Sequence, residues 1–144
     1  MATMAYRAAV AAALLAEHAE ALVGVCAVAV RVARDPASDQ GIRLQMGWSL
    51  SWESSAGQVA RAARALGLTH LLFDPVGDYV RVSAEGPVST SAGTALVEVW
   101  DHVTGEQVGR AAAALGLALV PSTDPVHVAV ADVLRLTASE PAAV

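Results

Sequence analysis

The stretch that decides the fold is IRLQMGWSL, at residues 42–50. Its apolar residues Ile42, Leu44 and Met46 alternate with Arg43 and Gln45. Successive side chains of a β-strand point to opposite faces of the sheet, so this rhythm predicts a strand with one buried face and one wet face. Such a strand is typical of an antiparallel sheet with helices on one side. It is not typical of the doubly covered parallel sheet of nucleotide-binding folds.

Related patterns on both sides of this stretch predict the rest of an α+β domain. Further strands are predicted at residues 25–34, 68–73, 79–83, 95–102 and 126–130, with a short final element that ends at Leu136. Helical spacing predicts three helices: residues 4–22, a second that begins near Ser54 or Ser55 and ends at Gly67, and a third between Thr104 and Gly116. The expected fold is therefore a mainly antiparallel sheet of five to six strands, packed on one face by about three helices.

Turn-forming residues predict the connections between these elements. Residues 35–41 and 74–78 carry the Asp, Pro, Ser and Gly that favour turns. The Ser/Gly/Pro-rich segment 83–93 is predicted to be a mobile surface loop, which could also bind a partner. Two capping boxes are expected at the helix starts, one from Ser55 to Gln58 and one from Thr104 to Gln107.

The length and composition indicate one folded domain, residues 1–144, because 144 residues that are 55% hydrophobic and 16% charged allow one sizeable core. Within it, QVARAARALGL from Gln58 matches QVGRAAAALGL from Gln107 at nine of eleven positions. Asp-Pro-Val follows both segments, at Asp74 and Asp124. Two strand-helix-strand repeat units, 42–83 and 95–131, would explain the match, and coincidence in an alanine-rich chain is the alternative.

The charge distribution disfavours a nucleic-acid partner. The formal charge is −5 and the basic side chains are scattered arginines, whereas phosphate binding needs a clustered basic surface. A nucleic-acid role would require six arginines to gather on one surface: Arg31, Arg34, Arg43, Arg61, Arg64 and Arg81. The ten-residue apolar run 21–30 is shorter than the roughly 20 residues of a membrane span, so no membrane association is expected.

The single cysteine, Cys26, excludes an internal disulfide and a cysteine-based zinc site within one chain. Cys26 is predicted to be a small buried hydrophobe, and a reducing, cytoplasmic location is expected. Lysine and asparagine are absent while alanine and arginine are frequent. Because lysine and asparagine have AT-rich codons, this bias indicates the genome of a high-GC bacterium or of one of its mobile elements.

Motifs of catalysis are missing, so no catalytic residue, metal ligand or cofactor is predicted. The sequence contains neither a Gly-x-Ser-x-Gly elbow nor a Gly-rich phosphate loop. His70, Asp74 and Asp78 are spaced by four residues, but side chains at that spacing in a strand and a turn do not converge automatically. Asp101 and His102 are expected on opposite faces of a strand, which disfavours a catalytic pair.

Aromatic residues are the best candidates for recognition, because the chain has few of them and aromatic anchors dominate binding energies. Trp48 is predicted to lie in the core. Trp52 is predicted at a strand-to-helix junction, and Trp100 on a strand face shared with Glu98 and His102. If that face is the wet one, Trp100 is the best exposed aromatic residue.

These observations favour a non-enzymatic protein-interaction or regulatory accessory domain that self-associates as a homodimer through a sheet face or edge. The alternative is a small-molecule-binding protein, or an enzyme with an unorthodox site, that has a pocket between sheet and helices. That pocket would be lined by the candidate ligand- or partner-binding residues Trp52, His70, Asp74, Trp100 and His102.

Overall fold

The computed structural model describes residues 3–25, 27–35, 38–47, 51–119 and 124–138. These residues form four helices and six strands, an α+β arrangement. In chain order the elements are α1 (Met4–Glu17), β1 (Ala27–Asp35), β2 (Ser38–Met46), α2 (Trp52–Ala65), β3 (His70–Val76), β4 (Tyr79–Thr90), β5 (Gly93–Thr104), α3 (Glu106–Leu115), β6 (Val126–Ala129) and α4 (Val130–Thr137).

The strands form one sheet in the order β1-β2-β5-β4-β3-β6. Four neighbouring pairs are antiparallel, which confirms the predicted α+β class and the mostly antiparallel sheet. The sheet is nevertheless mixed, because β2 and β5 run parallel. Parallel neighbours need a long connection, and α2 with the strands β3 and β4 supplies it. Of the helices, α4 is the one that the sequence predicted only as a short final element.

The core lies between the helices and one face of the sheet. Ile42, Phe73, Val82 and Val97 supply fully buried side chains from four different strands. Helix α2 contributes small buried residues to the core: Ala56, Gly57, Ala60 and Ala63. A Cβ atom at Gly57 would lie 3.2 Å from the Thr137 hydroxyl, so the glycine lets α2 and α4 approach closely.

The prediction of a mobile surface loop at residues 83–93 is wrong. This segment forms the turn end of a long β-hairpin. Strand β4 continues to Thr90 and β5 begins at Gly93. The buried residues Ala84, Gly86 and Val88 continue the two-residue rhythm toward the core. These residues are small, and the glycine among them with the neighbouring Ser83, Pro87 and Ser89 concealed the alternation.

Two predicted turns also prove shorter than expected. Strand β1 reaches Asp35 and β2 begins at Ser38, so most of 35–41 is strand. Strand β3 likewise includes Asp74 and Pro75, which leaves Gly77 and Asp78 in the turn. At Pro75 the strand pairs only with β4, because the pairing with β6 ends at Phe73. A proline is tolerated where a strand has one neighbour.

The helix starts differ from both predicted capping boxes. Helix α2 begins at Trp52, where the Ser51 hydroxyl accepts a hydrogen bond from the Ser54 N–H at 3.2 Å. Helix α3 has Gly105 as its N-cap, without a side-chain cap. Instead, Gln107 Oε1 accepts the Trp52 N–H at 3.0 Å, so a side chain of α3 caps α2.

The helix ends agree better with the sequence. Gly67 and Gly116 follow α2 and α3 with φ of 78° and 67°, the left-handed conformation that glycine adopts without strain. Helix α1 is shorter than predicted and ends at Glu17. Within the described part of the chain, no helix has the length and apolar content that crossing a bilayer requires.

The internal sequence match falls on two helices in different ways. The segment from Gln58 begins at the seventh residue of α2, whereas the segment from Gln107 begins at the second residue of α3. Duplication of the units 42–83 and 95–131 therefore stays a prediction. The predictions for Cys26 and Trp48 lie outside the described residues.

Candidate functional site

The face of the sheet away from the core carries a second set of side chains from the same strands. In β4 and β5, Val80, Val82, Val97 and Val99 point into the core and are at most 1% exposed. The residues between them are mostly half-buried and point the other way. The described residues place no helix over this second surface, which is called the open face below.

Six half-buried side chains on the open face form the open-face strip: Arg43, Tyr79, Arg81, Glu98, Trp100 and His102. Strand register brings them together, since β5 pairs with β2 on one side and with β4 on the other. Arg81 lies directly across from His102, and Arg43 across from Glu98. The strip is thus built from neighbouring strands and not from loops, which gives it a fixed geometry.

A two-pronged ion pair lies at the centre of the strip. Arg81 donates from Nη1 to Glu98 Oε2 at 3.0 Å and from Nη2 to Glu98 Oε1 at 2.7 Å. Arg43 Nε lies 3.6 Å from the same Glu98 Oε1. The hydrogen bonds to Glu98 raise the pKa of Arg81 above its usual value. Glu98 therefore holds the Arg81 guanidinium in one orientation.

The aromatic rings of the strip contact one another and this arginine. The Arg81 guanidinium carbon lies 4.8 Å from the centre of the Trp100 ring, within cation–π range. The ring centres of Trp100 and His102 are 4.8 Å apart, and those of Tyr79 and His102 are 4.6 Å apart. Both ring pairs meet edge to face, a favourable arrangement. Amphipathic rings are thus fixed in place while still reaching solvent.

Charge on the open face is ordered across the strands. One row of directly paired residues runs from Arg31 on β1 through Arg43 on β2 and Glu98 on β5 to Glu85 on β4. Two positive residues are therefore followed by two negative ones. Arg31 and Glu85, at the two ends of the row, are exposed. This row therefore has a positive half on β1 and β2 and a negative half on β5 and β4.

The structure separates the five residues predicted as binding candidates. Trp100 and His102 belong to the open-face strip, and Asp74 pairs with Arg81 beside it. His70 lies four residues from Asp74 on β3, about 13 Å away along the strand. Trp52 lies on the other side of the sheet and is 3% exposed. The five residues do not line one pocket between sheet and helices, because His70, Asp74 and Trp100 lie on the open face. Trp52 and His102 do border a common cavity, at the end of β5.

Four residues of the strip were not among the five predicted binding candidates: Arg43, Tyr79, Arg81 and Glu98. Their signal was present in the alternation of IRLQM in β2, YVRV at the start of β4 and LVEVW in β5. The ion pair itself was not predictable, because it depends on the register between two strands. Of the arginines proposed to gather for nucleic-acid binding, Arg61 and Arg64 lie in α2 on the far side of the sheet.

Two cavities border this region. A groove of about 550 Å³ lies beside the strip and is lined by Leu68, His70, Leu72, Arg81, Ser83 and His127, among others. A smaller cavity of about 250 Å³ at the end of β5 is lined by Trp52, Ser55, His102 and Gln107, among others. In the described ranges, no group of three or more His, Cys, Asp or Glu side chains is arranged to hold a metal ion.

Asp101 is a buried carboxyl group between Trp100 and His102. It points to the covered face, where its Oδ1 accepts the His102 N–H at 2.8 Å. Burial raises the pKa of Asp101, and hydrogen bonds from the His102 backbone and the Ser55 side chain partly offset that effect. Asp101 and His102 point to opposite sides of the sheet, so they do not form a catalytic pair.

Comparison with known proteins gives no relative for this chain. No family model matches it, and no curated protein or solved structure is significantly similar to it.

Proposed function

We propose that the chain is a non-enzymatic, self-associating protein-interaction domain, in which two copies pack through their open faces. The observation that carries the proposal is the charge row Arg31, Arg43, Glu98, Glu85. A row with one positive and one negative half is complementary to the same row of a second copy. Such a domain fits the role of a regulatory or accessory protein in a high-GC bacterium or its mobile element.

A twofold axis supplies the matching geometry. In the proposed dimer, the axis runs parallel to the strands and lies between β2 and β5. It lies in the plane where the two open faces meet. Rotation about it places β1 and β2 of one copy over β4 and β5 of the other. Arg31 then faces Glu85 of the second copy, and Arg43 faces its Glu98. Each contact occurs twice, as in the isologous interfaces of symmetric dimers.

The centre of such an interface would hold the residue types that dominate binding energies. Trp, Tyr and Arg are enriched among hot-spot residues, and the strip carries Trp100, Tyr79 and Arg81 in fixed positions. Arg81 already has its ion-pair partner within the chain. Burying Arg81 in a dimer would therefore not leave its charge unpaired, which is the costly case.

The size of the facing surface sets the expected strength of the dimer. The proposed axis opposes four strands of each copy, β1, β2, β5 and β4. Strands lie about 4.8 Å apart and rise about 3.3 Å per residue, so these four strands cover on the order of 450 Å². Each partner contributes about 800 Å² to a standard-size protein interface, so a weak dimer that forms at high protein concentration is expected.

The test is the sedimentation of three proteins over a wide concentration range. The unmodified chain is expected to change from monomer to dimer, whereas Trp100→Ala is expected to weaken the dimer about 30-fold or more, as for a hot-spot residue. Leu15→Ala is the matched control, because Leu15 is a 37% exposed apolar residue on α1, far from the open face. A chain that stays monomeric, or an equal loss with Leu15→Ala, would overturn the proposal.

A further inference from the structure

A second groove lies on the helical side of the molecule and plays no part in the proposed dimer. Its volume is about 590 Å³, within the range of small-molecule sites. It lies between the C-terminal end of α2, the α2–β3 connection and the start of α4. Its lining, which defines the α2–α4 groove, comprises Arg64, Leu68, Thr69, Ala129, Val130, Ala131, Leu134 and Arg135.

The floor of the α2–α4 groove is apolar. Val130 is 5% exposed, and Leu68 and Leu134 are half-buried. Backbone groups beside the floor are already hydrogen-bonded to each other, because the Val130 N–H donates to the Thr69 carbonyl oxygen at 2.9 Å. A ligand in this groove would therefore meet hydrocarbon surface along most of its length. This floor suits an aliphatic chain.

The rim of the α2–α4 groove is positively charged. Arg64 and Arg135 both line it, and both are exposed. Arg135 contacts Asp132 at 3.4 Å through side chains that are 69% and 58% exposed. An ion pair so open to water contributes little stability, and its arginine can turn to another anion at little cost. Two guanidinium groups thus stand beside an apolar floor.

From this combination we infer that the α2–α4 groove binds a medium-chain aliphatic carboxylic acid. The hydrocarbon chain lies on Leu68, Val130 and Leu134, and the carboxylate is held by Arg64 and Arg135. Arginine matches the planar carboxylate group through paired N–H donors. The inference does not depend on the dimer, because no residue of the open-face strip lines the α2–α4 groove.

Calorimetric titration with hexanoate, octanoate and decanoate tests the groove, with each acid kept below its micelle concentration. Affinity is expected to rise up to about fourfold per added methylene, which corresponds to about 0.8 kcal/mol. Decanol tests the charge requirement, and it is expected to bind at least about tenfold more weakly than decanoate. No saturable binding of decanoate, or equal binding of decanol and decanoate, would overturn the inference.

Arginine variants locate the binding site. Arg64→Gln and Arg135→Gln are each expected to weaken decanoate binding about five- to tenfold, since each removes one charge-assisted contact. Arg61→Gln is the matched control, because Arg61 lies on the same helix but does not line the groove. Circular dichroism confirms that each variant is folded. An equal loss with Arg61→Gln would show that binding is non-specific, and no loss with Arg64→Gln and Arg135→Gln would place the site elsewhere.

Discussion

The two faces of the sheet are built by the same strands and have opposite characters. On the covered face, Phe73 and Val97 are fully buried. On the open face, Arg81, Glu98 and Trp100 are half-buried and held by an ion pair and a cation–π contact. Neighbours in sequence, such as Val99 and Trp100, therefore contribute to different properties. The covered face stabilises the fold, and the open face offers a preformed surface to a partner.

The largest effect is expected from truncating one aromatic residue on each face. Phe73→Ala would remove a side chain with no exposed surface and lower the free energy of unfolding by about 3–5 kcal/mol. Trp100→Ala loses ring contacts that are open to water, so a loss of about 1 kcal/mol is expected in the monomer. Urea unfolding at a protein concentration below that of dimer formation measures both values. Equal losses would refute the division between the two faces.

The division itself was predictable from the sequence, because one strand rhythm assigns alternate residues to opposite faces. The alternation at Ile42, Leu44 and Met46 indicated a sheet with one buried face, and all three side chains are at most 2% exposed. Strand order was not predictable. The parallel pairing of β2 with β5 depends on contacts between residues 55 positions apart, as in Arg43 and Glu98. Local patterns carry no information about such pairings.

A second test compares carboxyl groups on the two faces. Glu98→Gln breaks the bidentate pair with Arg81 and is expected to lower stability by about 1 kcal/mol at pH 7. Asp101→Asn is expected to have the opposite effect and to raise the free energy of unfolding at pH 7. Burial raises the pKa of Asp101 in the fold above its ordinary value of 3.8, so the ionised carboxylate destabilises the native state.

The pH dependence identifies the cause of the Asp101 effect. The protonated carboxyl favours the fold, so its contribution is fully present below the unfolded-state pKa and is lost as pH rises through the folded-state pKa. The advantage of Asp101→Asn should therefore appear near neutral pH and vanish below about pH 4. Chemical denaturation from pH 3 to pH 8 measures it. An Asn variant that is less stable at neutral pH would show that the carboxylate is stabilising.

The smallest effect is expected where α1 meets the tip of the β4–β5 hairpin. Glu17 accepts hydrogen bonds from the Ser91 hydroxyl at 2.6 Å and from the Ser91 N–H at 3.1 Å. These bonds lower the pKa of Glu17 below 4.5. The resulting stabilisation is present above the unfolded-state pKa and is lost as pH falls through the folded-state pKa.

Glu17→Gln should accordingly destabilise the protein slightly at pH 7, and the difference should shrink below about pH 4. Thermal unfolding at pH 7 and pH 3 measures both values, and Glu20→Gln on the exposed segment after α1 is the matched control. A difference that stays constant with pH would mean that the carboxylate charge is not involved.

The candidate site was less predictable than the fold. Trp100 and His102 were found because aromatic residues are few and their strand face could be assigned. The roles of Arg81 and Glu98 require the register that pairs Arg81 with His102 and Glu85 with Glu98. Trp52 looked like a binding residue at a strand-to-helix junction. It is instead buried as the first residue of α2, where its N–H is capped by Gln107.

The most direct test of the open-face dimer is a charge exchange between Arg31 and Glu85, which are exposed at opposite ends of the charge row. In the proposed dimer, Arg31→Glu would bring acidic side chains face to face at two places. Glu85→Arg would likewise bring basic side chains face to face at two places. Mixing the two variants would restore both attractive pairs. Sedimentation should therefore show each variant alone as a monomer and the mixture as a one-to-one heterodimer. If the mixture stays monomeric while the unmodified chain dimerises, the two copies do not pack through their open faces in this orientation.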